Sequence, residues 1–109
     1  MNRIVLAVLI LLATAQESAP RIVDISSKKF EFAPNAITLK KDEAVTIRLT
    51  ATDRAHGLLV QELGVDLDAA PGKPAERTIT PHEAGTFGAI CDHYCGAGHG
   101  GMKMTFVVE

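Results

Sequence analysis

The sequence is poor in aromatic side chains and contains no tryptophan. Aromatic residues make up only 5% of its 109 residues, whereas hydrophobic residues as a whole make up 47%. A core of this composition is filled mainly by valine, isoleucine, leucine and threonine, which are favoured in β-strands. The composition therefore predicts a single β-rich domain with a packed core.

An excess of charge of either sign is also missing. The chain carries 11 lysines and arginines against 13 aspartates and glutamates, which gives a formal net charge of -2. These charges are mixed along the sequence, and there is no basic stripe that could neutralise a row of phosphates. We therefore expect no nucleic-acid partner.

The apolar run near the N-terminus is too short to be a typical membrane span. Residues 4–15 are almost wholly apolar, but as a helix they would reach only about 18 Å, against a hydrocarbon core of roughly 30 Å. Residues 1–3 carry positive charge, and residues 13–15 have the small-x-small form of a cleavage site. We interpret residues 1–15 as a secretory signal peptide, with an uncleaved anchor as the alternative.

Cleavage of this segment would leave a polar connector at residues 16–20 and one domain at residues 21–109. The mature protein is then expected in the periplasm or otherwise exported, where disulfides can form. We expect it to be a monomer without stable membrane insertion.

Alternation with a period of two residues runs through the rest of the chain. Its clearest case is residues 44–51, where Val45, Ile47 and Leu49 face one way and polar side chains face the other. Further strands are predicted at residues 21–25, 29–32, 36–40, 56–60, 77–80, 86–91 and 102–108, with an irregular connection at residues 63–75. Many short strands separated by turns predict an all-β, antiparallel β-sandwich with Greek-key connections.

Both cysteines, two of the four histidines and one of the three methionines are gathered in a single stretch, CDHYCGAGHGGM. The donor side chains within this stretch are Cys91, His93, Cys95, His99 and Met102. A further imidazole, His56, lies upstream. A disulfide between the cysteines is one interpretation, and a structural zinc site of two cysteines and two histidines is another. Each leaves the methionine unexplained.

Copper is the metal that uses thiolate, imidazole and thioether ligands together. A mononuclear blue site needs only one cysteine, whereas two thiolates can bridge two copper ions. We therefore predict that Cys91 and Cys95 bridge the metals, His56 and His99 each bind one of them, and Met102 is a weak axial ligand. A backbone carbonyl between the cysteines can supply the other axial position.

The spacing C-x3-C-x3-H-x2-M resembles the ligand loop of the CuA domain in cytochrome c oxidase subunit II and in nitrous oxide reductase. The resemblance extends from HGLLVQELGVD to the final strand, and FEFAPNAITLKKDEAVTIRLT is similar to the opening of small cupredoxins. It implies a cupredoxin-like fold and a dinuclear centre of two copper ions, in which His93 contributes only its backbone carbonyl. His93 stands where the oxidases have a glutamate that also serves a magnesium site. Together with the missing tryptophan, this favours a stand-alone domain.

These observations predict an exported copper protein that transfers single electrons to or from a redox protein partner. The alternative is a periplasmic copper-binding or copper-delivery protein without redox duty. We do not expect an enzyme, because every predicted ligand position is filled by the protein and no open site is left for a substrate.

Overall fold

The computed structural model describes residues 19–92 and 102–109. These ranges contain β-strands and one 3-10 turn, Gln61–Leu63, but no α-helix. No helix within them is both long and apolar enough to cross a membrane. The predicted signal peptide lies outside the described residues.

The strands are β1 (Arg21–Lys28), β2 (Glu31–Ala33), β3 (Ala36–Leu39), β4 (Val45–Ala51), β5 (His56–Val60), β6 (Val65–Ala69), β7 (Ala75–Ile79), β8 (Gly85–Ile90) and β9 (Lys103–Val108).

Two sheets pack face to face, which confirms the predicted all-β sandwich. One sheet has the strand order β2-β1-β4-β7, and the other has the order β3-β9-β8-β5-β6. Alternation along β4 buries Val45, Ile47 and Leu49 between the sheets, as the sequence predicts. On the other face of β4, Thr46 is also buried, and its hydroxyl lies 2.7 Å from the hydroxyl of Thr78 on β7.

The prediction that the sandwich is antiparallel is wrong for two strand pairs. Strands β1 and β4 are parallel over seven residue pairs, and β3 and β9 are parallel over four. Parallel neighbours need a crossover connection. Here the chain leaves the first sheet after β2, contributes β3 to the second sheet and returns as β4. Alternation shows which residues face the core, but it carries no information about strand direction.

The predicted irregular connection at residues 63–75 is also wrong in part, because it contains β6. This strand pairs antiparallel with β5, from His56↔Ala69 to Val60↔Val65. Val65, Leu67 and Ala69 are buried, whereas the residues between them are exposed aspartates. Aspartate is uncommon in strands, but β6 lies at the edge of its sheet, where outward charges discourage pairing with other chains.

The hairpin between β1 and β2 differs from the prediction in its boundaries. A strand is predicted at residues 29–32, but Lys28 pairs with Glu31, so Lys29 and Phe30 form the turn between the two strands. The turn brings the Lys29 amide close to the loop that precedes β5.

One end of the sandwich gathers the segments that carry the predicted donors. Strands β8 and β9 pair antiparallel as far as Ile90↔Lys103, so Cys91 and Met102 come next to each other beyond that pair. Ile90 also pairs with Leu59 of the antiparallel neighbour β5, which places His56, at the start of β5, at the same end.

Candidate metal centre

His56 presents a buried ring nitrogen that has no partner in the described part of the chain. It is the first residue of β5, and it is fully buried on the inner face together with Leu58 and Val60. Its Nε2 atom lies 2.7 Å from Oδ1 of Asp53. Its Nδ1 atom is buried and makes no hydrogen bond with any described residue. An unsatisfied buried polar atom costs about 1–3 kcal/mol, so Nδ1 is the ring atom suited to bind a metal.

Asp53, in the loop between β4 and β5, is held by backbone amides on both of its oxygens. Oδ2 accepts a hydrogen bond from the Lys29 N–H at 2.8 Å, and Oδ1 accepts one from the Arg54 N–H at 2.8 Å. The hydrogen bond from Lys29 is the main cause that lowers the pKa of Asp53 from 3.8 to about 2. Contacts with His56 and Arg54 act in the same direction, and desolvation opposes them.

Cys91 and Met102 lie side by side at the ends of β8 and β9. The Cys91 N–H donates a hydrogen bond to the Met102 carbonyl at 3.2 Å. The two residues are 3% and 1% exposed, so both sulfur atoms belong to the buried end of the core. This end of the sandwich therefore supplies a cysteine sulfur and a thioether near the strand that carries His56.

The structure thus describes three of the six predicted ligand residues. His93, Cys95 and His99 lie outside the described residues. Within the ranges 19–92 and 102–109, no group of three or more histidine, cysteine, aspartate or glutamate side chains could hold a metal ion. The described donors are an imidazole, a cysteine sulfur and a thioether, which is the combination that suits copper. The unpartnered Nδ1 atom of His56 fits the same interpretation.

Gly57 and Asp92 are neighbours of predicted ligands that the sequence analysis did not identify. A Cβ atom on Gly57 would collide with Oδ1 of Asp92 and would lie 3.0 Å from Oδ1 of Asp68. The carboxyl group of Asp92 therefore packs against β5 at Gly57, the residue next to His56. Partial desolvation is the main cause that raises the pKa of Asp92. A hydrogen bond with Asp66 and repulsion from the Asp66 carboxyl group act in the same direction.

The sequence contained only a weak signal for these supporting residues. An aspartate three residues before a candidate ligand could have pointed to Asp53, but proximity in sequence does not show that the side chains meet. The contact between Gly57 and Asp92 joins two distant segments, and no local pattern marks it.

His82 and Met104 have other surroundings. His82 is exposed in the turn before β8, at the opposite end of the sandwich, where its Nδ1 lies 2.9 Å from Oδ1 of Asp42. Met104 is buried in the core, as its alternation with Phe106 predicts.

Comparison with known proteins agrees with this architecture. The family model described as "Cupredoxin-like domain" matches residues 2–108. Cytochrome c oxidase subunit 2 of Thermus thermophilus is 30% identical over 80 residues, which are 73% of this chain and 59% of that protein. Subunit 2 from Aedes aegypti is 33% identical over 87 residues, which are 80% of this chain and 37% of that protein. The chain thus spans about half, or less, of the length of these relatives.

Solved structures share the fold at low sequence identity. The periplasmic domain of subunit II of cytochrome oxidase from Bradyrhizobium japonicum has a TM-score of 0.76 at 18% identity, over 85% of this chain and 86% of that one. Auracyanin A, a "blue" copper protein from Chloroflexus aurantiacus, has a TM-score of 0.68 at 18% identity, over 84% of this chain and 100% of that one. The predicted cupredoxin-like sandwich is confirmed. The chain belongs to the family of cupredoxin-like domains and is homologous to the CuA domain of cytochrome c oxidase subunit II.

Proposed function

We propose that this protein is an exported copper protein with a dinuclear CuA-type centre that acts in one-electron transfer. The observation that carries the proposal is the buried Nδ1 of His56, which has no partner among residues 19–92 and 102–109 and lies at the same end of the sandwich as Cys91 and Met102. Membership in the cupredoxin-like family and the likeness to a "blue" copper protein support copper as the metal. The homology with cytochrome c oxidase subunit 2 supports electron transfer.

The second cysteine supports two metal ions rather than one. In the proposed centre, Cys91 and Cys95 would each serve both metals, and the imidazoles of His56 and His99 would each hold one of them. Met102 and the backbone carbonyl of His93 would supply the two weaker ligands.

When bound, such a copper pair accepts and releases one electron that both metals share. In this proposal, the protein holds the ligands in place and excludes water from the metals. The three described ligand residues are at most 3% exposed, which supports the exclusion of water. A site that the protein closes in this way leaves no position for a substrate, so we propose that the protein is not an enzyme.

A redox protein is the proposed partner, and the protein is proposed to be a monomer. The apolar segment at residues 4–15 supports export to the periplasm by a signal peptide. The likeness to a periplasmic oxidase domain agrees with that compartment.

Copper loading of the full chain tests the proposal. We expect two copper ions per chain, a purple colour and an electron paramagnetic resonance pattern from one electron shared by two copper nuclei. A limit of one copper per folded chain, or a spectrum from a single copper nucleus, would contradict the dinuclear centre. Voltammetry should show a reversible one-electron couple. Ready transfer of copper to an acceptor without such a couple would instead indicate copper delivery.

A further inference from the structure

The contacts of Asp53 determine which nitrogen of His56 carries its proton. Two backbone amides, from Lys29 and Arg54, donate to the two oxygens of Asp53. Amides can only donate, so both oxygens act as acceptors. The third partner, Nε2 of His56, lies 2.7 Å from Oδ1. An ionised carboxylate has no proton to give, so Nε2 must be the donor.

A neutral imidazole with its proton on Nε2 has a bare lone pair on Nδ1. That lone pair is buried and lacks a partner among the described residues. The opposite tautomer would direct an N–H group into the same place and would set two acceptors, Nε2 and the carboxylate, against each other at 2.7 Å.

We infer that Asp53 is a positioning residue that fixes the tautomer and the orientation of the His56 ring, so that the Nδ1 lone pair faces the metal. The inference rests on the proposed use of His56 as a copper ligand. A hydrogen bond from a ligand imidazole to a carboxylate orients the ring and raises its basicity, and loss of such a partner typically lowers metal affinity about 10- to 100-fold.

The anchors of Asp53 come from two different segments of the chain. Lys29 belongs to the turn between β1 and β2, whereas Arg54 follows Asp53 in the loop after β4. The carboxylate is therefore tied to a paired hairpin as well as to its own loop. His56 begins a strand of the other sheet, so the contact links a ligand in one sheet to supports in the other.

The chain also contains a matched control pair. Asp42 and His82 lie 2.9 Å apart, like Asp53 and His56, but their side chains are 63% and 76% exposed, and they lie at the opposite end of the sandwich. Asn replaces Asp42 without strain, because its backbone has a φ of 64° and Asn tolerates that region.

The experiment compares Asp53→Ala, Asp53→Asn and Asp42→Asn in the full chain. Nitrogen chemical shifts of His56, measured without copper, report the tautomer, and competition with a chelator gives the Cu(I) affinity. In Asp53→Ala we expect a loss of the pure Nε2–H tautomer and an affinity lower by about 10- to 100-fold. Asp53→Asn keeps one oxygen that can accept from both Nε2 and the Arg54 amide, but its NH2 group then faces the Lys29 amide, which also donates. Its tautomer should therefore stay closer to the native one than in Asp53→Ala, with a copper affinity between the two. Asp42→Asn should change neither.

Two outcomes would overturn the inference. One is an unchanged tautomer in Asp53→Ala, and the other is a changed tautomer with native copper affinity. The tautomer is read without copper, so it stands apart from the proposed function. A native chain that bound no copper would refute that function while the tautomer could still be as inferred.

Discussion

Met102 is the residue at which binding and tuning of the metal can be separated. It is 1% exposed, and leucine has a similar volume, so Met102→Leu should cost less than about 1.5 kcal/mol of folding stability. An axial thioether binds weakly and sets the reduction potential rather than holding the metal. We expect Met102→Leu to retain two copper ions with a shifted potential, measured by metal analysis and voltammetry. Loss of both metals would show that Met102 is a principal ligand.

His93 is the loop histidine that we expect to be dispensable as a side chain. In the proposed centre, the imidazoles of His56 and His99 serve the two metals, and the backbone carbonyl of His93 does not depend on which side chain that residue carries. His93→Ala should therefore keep two copper ions and a near-native spectrum, whereas His56→Ala should not. If the dinuclear spectrum is absent from copper-loaded His93→Ala, the ring is itself a ligand.

Asp92 gives the protein a pH dependence with a definite sign. Its pKa is raised in the folded state, chiefly by partial desolvation and then by Asp66, so its ionised form destabilises the fold. This penalty is present at neutral pH and disappears as the pH falls through the raised value towards 3.8. Asp92→Asn should raise the Tm of the metal-free protein at pH 7, and the gain should shrink on acidification. The exposed acid Glu83 provides the control, since Glu83→Gln should show no such trend.

At the scale of strands, the sequence predicts burial better than it predicts pairing. Strand β5 begins and ends where its apolar residues predict, at His56 and Val60. Strand β6 was missed because aspartates alternate with its buried residues. The parallel pairing of β1 with β4 could not be predicted, since strand direction depends on the path of the connections between the sheets.

Strand β4 should be among the elements most sensitive to substitution, because it lies between β1 and β7. Ile47 on β4 is fully buried, whereas Ile22 on β1 is 49% exposed. Ile47→Ala should lower the free energy of unfolding in urea by about 2–5 kcal/mol. Ile22→Ala removes the same atoms from an exposed position and should stay within about 0.5 kcal/mol. Equal losses of unfolding free energy in the two variants would contradict the burial of Ile47 and the exposure of Ile22.

For the whole molecule, the described candidate donors lie on or next to three strands of the second sheet, β5, β8 and β9, so they come together only after these strands have paired. The donor types predict a copper loop from Cys91 to Met102 with His56 as the distant ligand, and the resemblance implies the same set. The support from Asp53 and the contact between Gly57 and Asp92 could not be predicted, because each joins segments that meet only in the folded chain.

Copper should consequently stabilise the entire domain. A ligand that binds only the folded state adds about 4.1 kcal/mol when its free concentration is 1,000 times its dissociation constant. We expect copper to raise the Tm of the native chain in thermal unfolding, and to raise that of Cys91→Ser much less. An equal rise in both proteins would indicate that copper binds elsewhere.

The position of β9 sets the order in which the polypeptide can fold. This strand lies between β3 and β8, so without residues 103–108 the second sheet loses the strand that joins its two parts. Pairing between distant segments is slow, because the entropy cost of closing long loops comes before the contacts that offset it. A nascent chain that has not yet emerged as far as Val108 therefore cannot complete its core. Such a delay would suit the proposed export, because the polypeptide stays unfolded until β9 has been made.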